Sequence, residues 1–216
     1  MTAARVHTDI RSAFRQRLLA LILADTGTAS LTVSGATYSR ASGSFIDDGF
    51  DVGDEIVASG FSASGNNGRS MITAITATTM TVDRTLATAS ATSARLVSGL
   101  PQGRAWEGRE FQPVLGQPWI RESFRPLVSR PRSLGAGGTI EHQMTANLSL
   151  FYPSRKGTLP VERLAGAMLD AFAPGTSLAY GQNAGIIQQC ERSPLIEEAD
   201  WISVPVIVSI TAYTSR

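Results

Sequence analysis

The sequence predicts an α+β fold, in which a mixed or antiparallel sheet packs against two helices and carries an inserted all-β small barrel or sandwich domain. Three observations lead to this prediction. Residues 4–24 have the spacing of an amphipathic helix, residues 28–98 alternate with period two, and residues 99–216 combine proline-punctuated strands with a second helical stripe. All ten prolines, all three tryptophans and the single cysteine lie beyond residue 98. We therefore expect a discontinuous domain of residues 1–27 and 99–216, with residues 28–98 as the insertion.

The first helix is predicted from an apolar stripe with spacings of three and four, formed by Val6, Ile10, Phe14, Leu18 and Leu21. Arginine and glutamine occupy the opposite face, and Asp25-Thr26-Gly27 supplies the stop signal. The stripe predicts a helix whose role is to pack against a core.

The insertion is predicted from short alternating runs, such as Leu31 and Val33 or Met80 and Val82, separated by Gly, Asn and Asp turns. Five or six short strands in about 70 residues can close only as a small barrel or sandwich. The acidic run 47–55 does not match the calcium-binding loop spacing. We interpret it as a solvated turn, with Phe50 and Val52 as core anchors.

The remainder of the chain is predicted to contain strands on either side of a second helix. The expected strands are 104–108, a strand from Trp119 that Pro126 ends, Thr139–Tyr152, 185–193 and 201–213. Gly135-Ala136-Gly137-Gly138 should form a hairpin turn before the long strand, and Pro160 suits the first turn of the helix. Pro205 cannot donate to a ladder, which favours an edge position or a bulge.

Composition limits the classes of function. The formal net charge of +1 argues against a protein whose main task is to coat DNA. A lone cysteine, Cys190, cannot form an internal disulfide. The start lacks a secretory signal and the longest apolar run, 18–24, is too short to span a bilayer. We expect a soluble protein made in a cytoplasm, without membrane partners.

Catalysis is not supported by any motif. His7 and His142 are the two histidines, and no Gly-x-Ser-x-Gly elbow or comparable signature accompanies them. The glycine-rich turn before Thr139 lacks the lysine and the following helix of a phosphate-binding loop. We therefore expect no enzyme, no cofactor and no metal site.

Basic side chains provide the candidate contact residues. We single out six of them as contacts to a neighbouring subunit or to a tube end: Arg121, Arg125, Arg130, Arg132, Arg155 and Lys156. Arginine pairs with carboxylates through its planar fork, which suits protein contacts. Phosphate contacts to DNA passing through a lumen are the second interpretation. A solvated face is the third.

The order of elements and several short signatures resemble a known family. These signatures are Trp106-Glu107 with Phe111 and Pro113, Trp119-Ile120-Arg121, Gly137-Gly138, Leu150-Phe151-Tyr152-Pro153 before Gly157, Leu164-Ala165, Phe172 and Trp201. In residues 1–27 and 99–216 the chain resembles the tail terminator, or tail completion, proteins of long-tailed, lambda-like bacteriophages. A minimal terminator would lack residues 28–98. That segment resembles small β domains of phage tail proteins through Gly49-Phe50, Gly60-Phe61 and Asn66-Asn67-Gly68.

The resemblance implies a structural virion protein. It implies a homohexameric ring on the head-proximal end of the tail tube, which stops tube polymerisation and offers a surface for head–tail joining. The implied partners are other copies of the chain, the tail tube protein and head–tail connector or neck proteins, with DNA in the lumen as a further candidate. The implied location is the virion tail, after assembly in the host cytoplasm.

Two alternatives remain open from the sequence. One is another tail or neck component, such as a tube protein or a head–tail connector, which would differ from a terminator in copies per particle. The other is a carbohydrate- or cell-surface-binding function of residues 28–98. The few aromatic residues there argue against it, because sugar platforms need exposed rings.

Overall fold

A computed structural model describes residues 5–135 and 137–215 of the chain. In these residues the helices are α1 (Val6–Leu19) and α2 (Leu159–Ala171). The strands are β1 (Ile22–Asp25), β2 (Ala29–Ser34), β3 (Thr37–Arg40), β4 (Glu55–Ser59), β5 (Gly68–Ile75), β6 (Thr79–Val82), β7 (Ala89–Gly99), β8 (Gly103–Trp106), β9 (Trp119–Pro131), β10 (Thr139–Pro153), β11 (Ser177–Tyr180), β12 (Asn183–Arg192), β13 (Ile196–Glu197) and β14 (Trp201–Ser215).

The predicted α+β class, with a sheet packed on two helices, is wrong. The described chain is mainly β, with 50% strand, 15% helix and two sheets of barrel or half-barrel form. The error comes from strands that the sequence did not predict, because Ile22–Asp25 form β1, Ser177–Tyr180 form β11 and β9 continues to Pro131. Prolines and charges interrupt the apolar pattern of β9, whereas the helical stripes are uninterrupted. The sequence pattern therefore overstates the helical share of the fold.

The first sheet closes into a barrel. Its strand order is β1-β7-β2-β3-β6-β5-β4, and an additional pairing of β4 with β7 completes the ring. The helix predicted over residues 4–24 ends at Leu19, because Ile22–Asp25 form β1 and pair with the end of β7. Ile22 lies opposite Gly99. The two ends of the segment between α1 and β8 are thus side by side.

The barrel has its own small core. Its larger buried side chains include Tyr38, Phe45, Phe50 and Phe61. Phe50 is a core residue as predicted, but Val52 is 45% exposed and is not the anchor that the sequence suggested. The Tyr38 hydroxyl donates to the Asn66 carbonyl at 2.9 Å, which satisfies its polar end inside the barrel.

The second sheet has the order β11-β12-β14-β10-β9-β8, and β13 also pairs with β14. The β8–β9 pair is parallel, and the other pairs are antiparallel. One face contributes alternate residues to a core that also contains the buried side chains of α1 and α2, with Phe14 of α1 and Phe172, the residue directly after α2, among its members. Their rings lie 4.7 Å apart between centroids. The α2 helix begins at Leu159 and has Pro160 in its first turn, as predicted.

Two prolines behave differently from their predictions. Pro126 does not end β9, because the strand continues to Pro131 with a bulge in which Leu127 is the extra residue. Pro205 lies on β14, in the middle of the sheet. Its carbonyl accepts from the Ser193 amide at 2.8 Å, where the chain passes from β12 to β13. In a strand, the N–H and C=O groups of one residue point toward the same neighbouring strand. The N–H that Pro205 lacks would therefore point to the gap between β12 and β13, where no ladder hydrogen bond is lost.

Candidate contact surface

The outer edge of β9 is open over most of its length. β8 covers only Trp119–Glu122, and no strand among residues 5–135 and 137–215 pairs with the outer side of residues 123–131. Every residue from Arg125 to Gly135 is exposed. Leu134, in the turn after β9, is 87% exposed and Leu127 is 58% exposed. An unpaired strand edge with exposed apolar side chains is a surface suited to binding another chain.

Four of the six predicted contact residues lie on or directly after β9. Arg121 and Arg125 are exposed on the side of the sheet away from the helices, and the Arg121 guanidinium lies 5.4 Å from the Phe151 ring centroid. Arg130 is exposed and, like Arg125, forms no ion pair with any other described residue. Arg132 forms an ion pair with Glu141 on β10 and holds the pKa of that carboxyl below its ordinary value.

The other two predicted contact residues lie elsewhere. Arg155 and Lys156 are exposed in the turn after β10, whereas Arg130 lies beside the opposite end of that strand. Arg155 has a φ of 66°, in the left-handed region that favours glycine. The structure therefore separates the six residues into a β9 group and a turn group.

A buried carboxylate fixes β9 to the first helix. The Glu122 side chain is fully buried and accepts from Arg11 Nε at 3.1 Å and from Arg15 Nε at 3.0 Å. The Arg15 guanidinium also lies 4.9 Å from the Trp106 ring centroid. Sequence reasoning placed Arg11 and Arg15 on the polar face of the helix and missed this cluster. The only local signal was a glutamate at an inward position of β9.

The two histidines meet near the turn of the β9–β10 hairpin. Their ring centroids are 5.5 Å apart and the rings are perpendicular. His142 Nδ1 lies 2.8 Å from the Ser129 hydroxyl and Nε2 lies 2.9 Å from the Thr214 hydroxyl. Burial lowers the pKa of both His7 and His142. Both nitrogens of His142 face hydroxyl groups, so the cluster joins four elements, α1, β9, β10 and β14, and holds no carboxylate in the orienting position of a hydrolytic triad.

The face of the second sheet that points away from the helices is polar. Its middle carries half-buried Thr145, Asn147 and Ser149 on β10 and Ser209 on β14. At one end Trp119 stacks on Phe151 with 3.8 Å between centroids. The sheet therefore has one apolar face beneath the helices and one face of small polar side chains.

The barrel contacts the start of α2 through an ion pair. Arg163 Nη1 lies 2.9 Å from Asp54 Oδ2, and Nη2 donates to the Gly49 carbonyl. The Asp54 side chain is 1% exposed, and burial raises its pKa while Arg163 opposes the rise. A Cβ at Gly53 would lie 2.7 Å from Pro160 Cγ, so only glycine fits this approach.

The acidic run 47–55 is thus only partly a solvated turn. Asp54 and Glu55 are buried, and burial raises the pKa of Glu55. Arg69 Nε lies 3.5 Å from Glu55 Oε1. The described residues contain no group of three or more His, Cys, Asp or Glu side chains placed to hold a metal ion. Among them, no helix has the length and apolar content needed to cross a membrane.

Comparisons with known proteins identify the family. The model of the phage tail terminator protein family matches residues 85–210, more than half of the chain. This match confirms the resemblance, and it begins before residue 99, so it includes β7 of the barrel. No curated protein matches the sequence significantly. A solved structure with 16% identity aligns over 53% of this chain and 79% of its own, with a TM-score of 0.43. The chain belongs to the phage tail terminator family, whose members are structural proteins of the phage tail.

Proposed function

We propose that the protein forms a homohexameric ring on the head-proximal end of the phage tail tube. There it stops tube polymerisation and provides the surface for head–tail joining. The family match over residues 85–210 is the observation that carries this proposal. A tail terminator interacts with other tail components. The tube protein and the head–tail connector or neck proteins are the partners that this position requires.

The open β9 edge supports assembly into a ring. A closed ring uses heterologous contacts, in which one surface of each copy meets a different surface of the next. The edge offers the exposed side chains of Leu127 and Val128, backbone groups without a partner strand, and Arg125 and Arg130, which form no ion pair with another described residue. Arg155 and Lys156 lie in a separate turn and are proposed as a second contact, toward the tube end.

The polar sheet face supports an orientation of the ring. Both helices cover one face, and the barrel contacts α2 on that side. The opposite face carries small polar side chains, with Arg121 and Arg125 along β9. We place this face toward the lumen, where Arg121 can meet phosphates of passing DNA.

We also propose that residues 28–98 are an inserted domain on the outer side of the ring. Two observations support the insertion: the segment has a core separate from that of the second sheet, and its two ends pair through β1 and β7. Its contact with α2 keeps it away from the polar sheet face. An outward barrel leaves the bore free.

Imaging of the native particle by cryo-electron microscopy, at secondary-structure resolution, tests the proposal. We expect one ring per particle at the head end of the tube, with β-barrels on its rim. A phage whose gene is silenced should produce tails of uncontrolled length that do not join heads, and a wild-type copy in trans should restore joining. Many copies along the tube would refute the proposal in favour of a tube protein.

A further inference from the structure

We propose that the basic β9 edge of one copy binds the acidic β12–β13 edge of the next copy in the ring. The basic edge is residues 123–132, and the acidic edge is residues 188–200. This inference rests on the proposed ring and names the two surfaces that meet in it. The partner is a second copy of this chain.

The two edges are opposite in charge. Residues 123–132 contain no acidic residue and three arginines, of which Arg132 is paired with Glu141, whereas residues 188–200 contain four acidic residues and one arginine. That arginine, Arg192, is already paired with Glu162. Glu197, Glu198 and Asp200 are exposed and form no ion pair with another described residue. Charges of opposite sign on two separate surfaces of one chain favour head-to-tail contact over contact between like surfaces.

Both edges also expose apolar side chains and lack a partner strand. The basic edge carries Leu127 and Val128, and the acidic edge carries Ile196, which is 48% exposed. On the acidic side, β11 pairs with β12 only as far as Ile186. Within the described residues, no strand lies outside Gln188–Arg192 or outside β13. Apolar contact can therefore accompany charge pairing on each side.

Strand direction permits the contact. β12, β14, β10 and β9 are successive antiparallel neighbours, so β9 runs opposite to β12 within one copy. β13 runs in the same direction as β12, because both are antiparallel to β14. Head-to-tail repetition of the sheet therefore places β9 antiparallel to β12 and β13 of the next copy.

The open part of β9 and strand β13 lie toward opposite ends of the sheet. The open part of β9 lies beside Ile140–Asn147, whereas β13 lies beside the β14 residues that pair with Phe151 and Tyr152. Bringing the centres of the two segments together shifts the next copy by roughly eight residues, or about 26 Å, along the strands. Such a stagger tilts strands relative to the ring axis, as closure of strands around an axis requires.

Side chains rather than a continuous ladder must specify the contact. Pro126 and Pro131 remove two backbone donors from β9, which limits strand addition at this edge. Arg155 lines the same cleft as Glu197 and Glu198 but is not within ion-pair distance of either. The acidic edge thus keeps free carboxylates for arginines of a neighbour.

Charge reversal in full-length protein tests the inference. The first variant carries Arg125→Glu with Arg130→Glu, and the second carries Glu197→Arg with Glu198→Arg. Native mass spectrometry of each protein, alone and with isolated tail tubes, measures ring formation. We expect each variant to need at least ~10-fold more protein than wild type to form rings, because like charges then face each other. Asp47→Arg, on an exposed turn of the barrel, is the control and should leave ring formation unchanged.

An equimolar mixture of the two variants provides the decisive measurement. In a ring where the two variants alternate, every charge-reversed basic edge meets a charge-reversed acidic edge. The mixture should therefore form rings of even subunit number that contain equal amounts of both chains. This recovery also shows that the variants are folded. Rings that form normally from either variant alone, or a mixture that fails to recover while wild type forms rings, would overturn the inference. If wild type forms no ring even on isolated tubes, the proposed function fails, and this inference with it.

Discussion

Replacement of Arg163 by alanine should weaken the whole protein by leaving a buried carboxylate without its partner. The Asp54 side chain is 1% exposed and that of Arg163 is 25% exposed. Removal of one member of a buried ion pair costs about 3–5 kcal/mol. Because Arg163 is near the surface and water can enter the vacated space, we expect the lower end, about 3 kcal/mol. For a chain of this size that corresponds to a fall in Tm of about 6–12 °C.

The assay uses the distribution of tryptophan. Trp106, Trp119 and Trp201 all lie outside the barrel, so fluorescence follows the second sheet, whereas far-UV circular dichroism follows both. In wild type the two signals should change together on urea unfolding, because Arg163 couples the barrel to α2. In Arg163→Ala the dichroism change should begin at lower urea than the fluorescence change.

A matched control separates this effect from simple loss of an arginine. Arg192 pairs with Glu162 near the same helix, but both side chains are about a third exposed. Arg192→Ala should therefore cost less than about 1 kcal/mol. If Arg163→Ala unfolds in one transition at the wild-type midpoint, or lowers the free energy of unfolding no more than Arg192→Ala does, the contact between the barrel and α2 does not depend on this ion pair.

The variant should also be more sensitive to pH. Burial raises the pKa of Asp54, and Arg163 opposes that rise, so the folded-state pKa should climb further without the arginine. A carboxyl with a raised folded-state pKa contributes stability below its unfolded pKa, and this is lost as pH rises through the folded value. Arg163→Ala should therefore lose less stability at pH 5 than at pH 8. An equal loss at both pH values would contradict this account.

Three further predictions concern the contacts that hold the elements together. Glu122→Gln should cost about 2–3 kcal/mol in urea unfolding, since Arg11 and Arg15 lose their shared buried carboxylate, and exposed Glu110→Gln should be near neutral. Gly53→Ala should cost about 1–3 kcal/mol in the same assay, because φ is +89° and Pro160 occupies the space of a Cβ; a loss below about 0.5 kcal/mol would contradict the packing. Because burial lowers the pKa of His142, the wild-type Tm should fall as pH drops below about 6.5. His142→Gln should reduce that fall. If the variant shows the same pH profile of Tm as wild type, His142 is not the cause of the fall.

The helices could be predicted from the sequence because the spacing of apolar residues along a helix is a local pattern. The spacing of Val6, Ile10 and Phe14 predicts α1, and all three are buried. The same stripe continued to Leu21 and extended the predicted helix too far, because Ile22–Asp25 pair with β7, more than 70 residues away. An apolar residue after a helix can extend the helix or begin a strand, and the local pattern does not show whether a distant strand will pair with it.

The open β9 edge could be predicted only in part from the sequence. Sequence singled out the arginines of β9 and Arg132 beyond it, but predicted that Pro126 ends the strand. The bulge at Leu127 lets β9 continue beside β10 and creates the long open edge. Bulges depend on the partner strand, so no pattern within residues 119–131 indicates one.

By itself the sequence determined the alternating pattern of the main strands, the two helical stripes and the family resemblance. Only the tertiary structure decided that the fold is mainly β, that Glu122 meets Arg11 at a separation of 111 residues, and that His7 meets His142. Local patterns report which face of an element is buried but not which distant element covers it. Strand order and register make that choice, and they depend on the packing of the whole chain.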